Sequence, residues 1–359
     1  MAQVPKFQKA YVLDHKTLKL NLIEDLPIPE LQHGQALLKI KAAGLCHSDL
    51  NIIGGLPPFQ EDFILGHEIC GELVQFRIDK DKEIKENDNK FKQYEEVLNS
   101  IGKLYTVYNV SPCRDCSVCK QGNEVSCPVN HLKHYGIGRD GGYCEYAIVE
   151  IKDLVLVPKE LQDKPEICAI ATDAILTPYH GIKKLKKIDE NHKILLIGVG
   201  GLGLNALQII KSFNGYAICC DVKESQRTRA KEFGADEVYE KLDETNSYQV
   251  DSVIDFVGND ETVKLALSHL KPSGKLLLVG ISSKGLKLEP RTITRMVWKE
   301  LDIQTTCIGT QQDQFEVLQL VGQGKVVPKF EVFSLFEDLH SCLEDMKTGK
   351  LFDRAVLVP

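Results

Sequence analysis

The sequence has no run of about 18 apolar residues, so no helix that crosses a bilayer is expected. Its opening, MAQVPKFQKAYVLD, carries neither the apolar core of a secretory signal nor an arginine-rich amphipathic helix. A cytoplasmic location is therefore the default expectation. Basic charge is not in excess: 44 Lys and Arg stand against 51 Asp and Glu, a net charge of −7. Nucleic-acid binding needs a basic face to neutralise phosphates, so no nucleic-acid partner is expected. Internal repeats are missing, and so is low-complexity sequence apart from one charged stretch, residues 79–100 (DKDKEIKENDNKFKQYEEVLNS). Its nearly balanced charges read as a solvated loop or surface helix inserted at a hairpin. A disulfide scaffold is also excluded. The chain is 359 residues long, enough for two domains with their own cores, and four of its twelve cysteines crowd into fifteen residues. That distribution points to metal in a reducing compartment.

What is present is organised around Lys193 to Asp221 (KILLIGVGGLGLNALQIIKSFNGYAICCD). The apolar run Ile194 to Ile197 is too short for a lone helix and is bounded by glycines, so it reads as a buried strand. Gly198, Gly200 and Gly203 follow in G-x-G-x-x-G spacing, then an apolar-periodic helix over Leu204 to Phe213 and a second strand, Tyr216 to Cys220. The first glycine makes a tight turn, the second lets backbone approach a pyrophosphate, and the third packs helix on sheet. The helix N-terminus offers N–H groups and partial positive charge to that pyrophosphate. Gly201 and Leu202 lie in the same turn. Asp221, 23 residues after Gly198, can accept hydrogen bonds from an adenosine ribose and would repel a 2′-phosphate. The spacing predicts NAD rather than NADP, although Lys223, Arg227 and Arg229 follow the acid. No Gly-Lys-Ser/Thr follows the glycines, which excludes a P-loop.

Cys113, Cys116, Cys119 and Cys127 give the sharpest local signal. Four thiolates at this spacing close a tetrahedral zinc site with no open position, which is structural rather than catalytic. Disulfides across such short loops would be strained. Residues 1–45 alternate as short strands, Ala10 to Leu13, Lys19 to Leu22 and Ala36 to Ala42, with Pro27 and Pro29 in a connection. After the third comes Gly44-Leu45-Cys46-His47-Ser48-Asp49, and later Gly66-His67-Glu68. A Cys, a His and acids near strand ends suit a divalent metal, although each alone is an ordinary core residue. Short strands return over Gly136 to Val149 around the turn Asp140-Gly141-Gly142. Glu166 to Leu185 reads as a helix interrupted at Pro178 and carries Asp173. Beyond Asp221, strands alternate with helices: a helix over Glu224 to Phe233, strands at Glu237 to Tyr239 and Asp251 to Val257, a helix over Glu261 to Leu270, and strands at Lys275 to Val279 and Leu301 to Ile308. This rhythm predicts a doubly wound parallel sheet. A helix over Gln311 to Val321 follows, and the tail after Gly349 reads as strand.

Cys46 with Gly66-His67-Glu68, the four-cysteine lobe and the dinucleotide unit occur in that order. In this the chain resembles the zinc-dependent medium-chain alcohol dehydrogenases over nearly its whole length. The segment Asp173-Ala174-x-x-Thr177-Pro178-Tyr179-His180 is most similar to the secondary alcohol dehydrogenases and carbonyl reductases, which place Asp where many relatives place Cys. The resemblance implies an α/β protein: a mainly β GroES-like catalytic domain over 1–174 and 311–359, with a structural zinc lobe at about 111–129, and a Rossmann NAD-binding domain over 175–310. It implies two zinc ions and NAD(H), a small alcohol or carbonyl substrate, and a homodimer or homotetramer joined near Leu301 to Ile308.

By the same resemblance Cys46, His67 and Asp173 hold the catalytic zinc, with Glu68 as a nearby or alternate ligand and Asp49 orienting His67. Ser48 hydrogen-bonds the substrate oxygen and begins the proton relay. His47 and Arg354 face the pyrophosphate, Thr177 touches the nicotinamide, and Val257 and Val279 lie at strand ends beside it. Two departures stand out. Asn51 occupies the position of a histidine that ends the relay in some relatives, so the proton must leave by the ribose and water or by another group such as His47. The charged insertion displaces the family's Gly-Asp-Arg-Val strand, of which Gly102-Lys103-Leu104-Tyr105 is the remnant. Leu56 and Asn109 are candidate lining residues of the substrate pocket. The alternatives are a polyol dehydrogenase of the same superfamily and an inactive, metal-stabilised NAD-binding protein.

Overall fold

The structure, a computed structural model, describes residues 4–79, 97, 99–185, 188–242, 249–281 and 286–359. Most of the charged insertion expected as a loop or surface helix therefore lies outside the described residues. The chain forms two compact units: Met1–Asp173 with Thr310–Gly322 and Lys329–Pro359, and Ala174–Gly309 with Gln323–Pro328.

The first unit is mainly β. Its seven-stranded sheet runs Leu154–Leu156, Leu104–Val107, Glu68–Arg77, Gln35–Gly44, Arg354–Val358 and Phe330–Ser334, with Tyr146–Glu150 also paired to Gln35–Gly44. A second sheet joins Leu20–Pro27, Phe7–Leu13 and Phe63–Ile64. The strand Gln35–Gly44 (QALLKIKAAG) is apolar on both faces except at its lysines and Gln35, as expected of a strand covered on both faces. Between the layers lies a core of Leu38, Ile40, Ile69, Leu73, Tyr105 and Tyr143, closed by Leu335, Leu339, Cys342, Leu343 and Met346 from one helix. Register matters more than composition here. Gly44 pairs antiparallel with Glu68 and also with Val356. Cys46, just past one strand end, His67, just before another, and Arg354, at the start of a third, therefore meet at one end of the sheet.

The second unit holds a six-stranded parallel sheet in the order Glu237–Tyr239, Tyr216–Cys220, Lys193–Ile197, Val250–Asp255, Leu270–Leu278 and Asp302–Thr305. Every pairing is parallel. The two central strands are buried along nearly their whole length, the signature of a sheet covered on both faces. The expected α/β architecture is thus present.

The structure differs from the sequence reading in several elements. The helix Gly201–Ser212 begins inside the glycine triplet, not at Leu204. Pro27 ends a strand and is not in a connection. A helix over His47–Ile53, one over Pro290–Trp298 and one over Leu335–Lys347 were not anticipated. The break expected at Pro178 lies upstream: Pro165–Ile170 is α-helical, Ala171–Ile175 is a wider i→i+5 turn, and Leu176–Lys183 resumes the α-helix. Pro178 sits in the first turn of that last helix, where its missing N–H costs nothing. In the tail only Arg354–Val358 is strand.

Candidate active site

Cys46 is the N-cap of the short helix His47–Ile53, with extended backbone. Its N–H donates to Asp49 Oδ2 at 2.9 Å, so the acid in the first helical turn reaches back to close the turn. The other carboxylate oxygen, Oδ1, lies 3.2 Å from His67 Nδ1. That bond fixes the ring and leaves Nε2 to face a ligand. Asp173 arrives on the i→i+5 turn, where a single wide turn re-aims a side chain that a regular helix would direct elsewhere. Its Oδ2 is 3.3 Å from Cys46 Sγ and 3.6 Å from His67 Nε2. Ligand atoms of Cys46, His67, Glu68 and Asp173 all lie within 4.8 Å of one another, and all four residues are buried.

The chemistry of this set fits a divalent cation. Burial alone would lower the His67 pKa, but the carboxylates of Asp49 and Asp173 outweigh it and hold it well above its usual value. The pocket thus favours positive charge at Nε2. Both carboxylate oxygens of Glu68 are buried without a hydrogen bond, although Arg354 pairs with the group as an ion. Gly44 makes room for it, since a Cβ there would run into the Glu68 carboxylate. Thiolate, imidazole and carboxylate are zinc ligands, and three of them leave a fourth position open.

Ser48 is half-buried, with Oγ 3.5 Å from Cys46 Sγ. His47 and Asn51 are exposed. Arg354 lies at the metal cluster, with Nη2 3.6 Å from Asp173 Oδ2. Leu56 is exposed, whereas Asn109 is buried and donates its amide to the His67 carbonyl at 3.4 Å. Sequence reasoning missed Tyr143. Its hydroxyl is 2.8 Å from Asp49 Oδ2 and 3.1 Å from the Gly44 carbonyl. Burial, reinforced by the Asp49 charge, pushes its pKa well above the usual phenol value, so it stays a donor.

The four cysteines form a second group within the same 4.8 Å span. Backbone N–H groups point at the sulfurs: Cys113 N to Cys127 Sγ at 3.4 Å, Cys116 N to Cys113 Sγ at 3.3 Å and Cys119 N to Cys116 Sγ at 3.5 Å. Such donors stabilise thiolates. For Cys127 burial pulls upward, yet N–H donors from Cys113, Asn130 and Val129 prevail and lower its pKa to about 6. Arg114, at φ 61°, reaches from the lobe to Lys152 O at 2.7 Å, Asp153 at 3.2 Å and Gln311 at 2.8 Å. Those bonds tie the lobe to the turn Ile151–Asp153 and to the start of the helix Gln311–Gly322.

In the second unit Gly198 adopts φ +81°, a conformation that disfavours any side chain. A Cβ on Gly203 would strike the Gly198 carbonyl, so the third glycine does set the helix against the strand. Beside Gly200 and Gly201 there is open space, and no side chain caps the helix. Those are the requirements of a pyrophosphate cradle. Leu202 is half-buried on that turn. Asp221 Oδ2 accepts from Val199 N at 2.8 Å, which holds the acid against the glycine turn. Val257 and Val279 follow the ends of adjacent strands, with Val279 N bonded to Asp255 O at 2.9 Å. Thr177 is buried in the helix Leu176–Lys183. Among the described residues no helix is long and apolar enough to cross a membrane.

Comparison with known proteins bears on both units. The family described as alcohol dehydrogenase GroES-like domain matches residues 32–159, and that described as zinc-binding dehydrogenase matches residues 201–323. An NAD-dependent alcohol dehydrogenase of Sulfolobus acidocaldarius is 30% identical, covering 97% of this chain and 99% of its own. The solved structure of acetophenone reductase from Geotrichum candidum, in complex with NAD, is similar at TM-score 0.86 and 35% identity, over 100% of this chain and 99% of that one. The alcohol dehydrogenase of Aeropyrum pernix is similar at TM-score 0.81 and 26% identity, over 98% of this chain and 100% of that one.

Proposed function

This chain belongs to the zinc-dependent medium-chain alcohol dehydrogenase family, and on that premise we propose that it transfers hydride between NAD(H) and a secondary alcohol/ketone or alcohol/aldehyde pair at the Cys46–His67–Asp173 cluster. The observation that carries the reading is the convergence of those three buried side chains, from segments 127 residues apart, on a single point. Similarity to the acetophenone reductase favours a ketone as the carbonyl partner.

Zinc held by Cys46, His67 and Asp173 would supply Lewis acidity toward the substrate oxygen, and NAD(H) the hydride acceptor or donor. The protein's own residues do the rest. Cys46 and Asp173 bring negative charge to balance the ion, and His67 presents Nε2 because Asp49 occupies Nδ1. Ser48, beside the Cys46 sulfur, takes the alcohol proton or returns it to the carbonyl oxygen. Asn51 cannot titrate, so the proton leaves by the ribose and water or by another group such as exposed His47. Glu68, held by Arg354, stands as reserve ligand. The glycine turn 198–203 cradles the pyrophosphate, Asp221 accepts from the adenosine ribose, and Thr177, Val257 and Val279 flank the nicotinamide; His47 and Arg354 are further pyrophosphate contacts.

The boundaries expected for the catalytic and coenzyme domains belong to this reading, as does a cytoplasmic location. So does a homodimer or homotetramer. The helix Pro290–Trp298 buries no residue and leaves Trp298 84% and Val297 67% exposed, close in sequence to the edge strand Asp302–Thr305. Replacing Trp298 by Glu should shift the sedimentation of the purified protein toward monomer; unchanged sedimentation would remove this surface from consideration.

The decisive experiment combines metal analysis with NADH oxidation on a panel of ketones, aldehydes and polyols. Two zinc ions per chain with turnover on carbonyls is the expected result. A single zinc and no turnover on any member would replace the enzyme with an inactive NAD-binding scaffold.

A further inference from the structure

The metal cluster is backed by a side chain to which the proposed chemistry assigns no part. Tyr143 is fully buried at the end of the loop that contains Gly141 and Gly142. Its backbone is fixed on both sides: Tyr143 N donates to Leu65 O at 2.9 Å, and its carbonyl accepts from Tyr11 N at 2.8 Å. Its ring lies against Gly66, where a Cβ would run into it, so the residue before His67 is moulded to this ring. All of that is packing, which phenylalanine would serve equally well. The hydroxyl requires a separate explanation.

The phenol has a single proton to give, and two acceptors stand near it. Asp49 Oδ2 at 2.8 Å is closer than the Gly44 carbonyl at 3.1 Å and bears charge, so it is the main acceptor of the hydroxyl's hydrogen bond. Asp49 is entirely buried and receives three bonds: Cys46 N and the Tyr143 hydroxyl on Oδ2, and His67 Nδ1 on Oδ1. The hydroxyl and the Cys46 N–H thus pin one oxygen from two directions. With that oxygen held, the other is aimed at the imidazole.

We propose that Tyr143 is a positioning residue for the catalytic metal: its hydroxyl fixes Asp49, and through Asp49 the ring of His67, so that Nε2 faces the ion. The inference rests on the metal site proposed above. A partner in direct contact with a metal-bound histidine typically contributes 10–100-fold to metal affinity. Tyr143 acts one bond further out, so its hydroxyl is expected to contribute about 3–10-fold.

The test is chelator competition on the full-length zinc protein, comparing wild type with Tyr143→Phe, Asp49→Asn and the double variant. The absorption spectrum of cobalt placed in the same site is recorded alongside. Tyr143→Phe keeps the ring and removes only the hydroxyl. The expected result is that one of the two zinc ions is held about 3–10-fold more weakly and the cobalt bands shift, while the four-cysteine zinc is retained. In the Asp49→Asn background the second change should add nothing, because the route through Asp49 is already cut. Wild-type zinc affinity in Tyr143→Phe would overturn the proposal, as would an equal further loss in the double variant. Release of both ions together would also overturn it, since the hydroxyl would then be supporting the whole unit. A wild-type chain that binds only the four-cysteine zinc would instead reject the underlying site.

Discussion

The two candidate metal sites of the first unit are built on opposite principles. The four-cysteine lobe draws its ligands from fifteen consecutive residues with little regular structure, a one-turn helix at Ser117–Lys120 and a turn at Glu124–Ser126. The cluster at Cys46, His67 and Asp173 draws its ligands from three separate segments, each placed by a strand end or a helix junction. In the first case an ion would hold the chain in shape. In the second the chain would hold the ion: strand register, which pairs Gly44 with Glu68, sets where the candidate ligands stand. Loss of metal should therefore cost stability at the lobe and activity at the cluster.

The largest expected effect tests the second half of that contrast. Cys46→Ser should lower kcat on the order of 10³-fold, the loss of several kcal/mol of Lewis-acid assistance at about 1.4 kcal/mol per factor of ten. NADH binding, followed by fluorescence titration, should persist, and the melting curve should barely move. Retained turnover would remove Cys46 from the ligand set. A collapsed melting curve would mean that this cluster, too, depends on its ion to fold.

Cys113→Ser tests the first half, with an effect on stability. Removing one ligand of the lobe should lower the melting temperature by roughly 5–10 °C, as a loss of a few kcal/mol does in a unit of this size. The turnover of the protein that stays folded should remain within about twofold, since catalytic groups are untouched. An unaltered melting curve would show that the Arg114 fork to Lys152, Asp153 and Gln311 secures the lobe without zinc.

The same contrast explains what could be read in the sequence. The lobe was legible because its spacing is local, and the glycine turn was legible because Gly198, Gly203 and Asp221 each answer a backbone constraint within one βαβ unit. Cys46 and His67 suggested a metal by residue type, but Asp173 joined them only through a family resemblance, for no local pattern links Cys46 to Asp173. The wide turn at Ala171–Ile175 has no side-chain signature, and Pro178 drew the break to the wrong place. Tyr143 was hidden because its partner Asp49 lies 94 residues away and its setting, Gly-Gly-Tyr, reads as a turn. The helix Leu335–Lys347 was a different kind of miss. Leu335, Leu339, Cys342, Leu343 and Met346 recur at helical spacing and are all buried, a period that was there to be counted. In Pro290–Trp298 no residue is fully buried: Met296 packs against the core of the second unit, while Ile293, Val297 and Trp298 stay exposed.

The smallest expected effect bears on whether the two clusters are as independent as the contrast requires. Asn109 precedes Cys113 by four residues, and its side-chain amide donates to the carbonyl of His67 at 3.4 Å, while its backbone carbonyl accepts from Tyr135 N at 2.9 Å. It is thus a short mechanical link between the root of the lobe and His67, a candidate ligand of the second cluster. A neutral hydrogen bond contributes about 1 kcal/mol, and this one is long, so Asn109→Ala should weaken the catalytic zinc by less than about fivefold. The four-cysteine zinc should be held as in wild type. Chelator competition resolves the two ions, because only one depends on the orientation of His67. If both affinities fell together, lobe and cluster would form one cooperative structure, and the stability lost in Cys113→Ser would have to appear in the catalytic site as well.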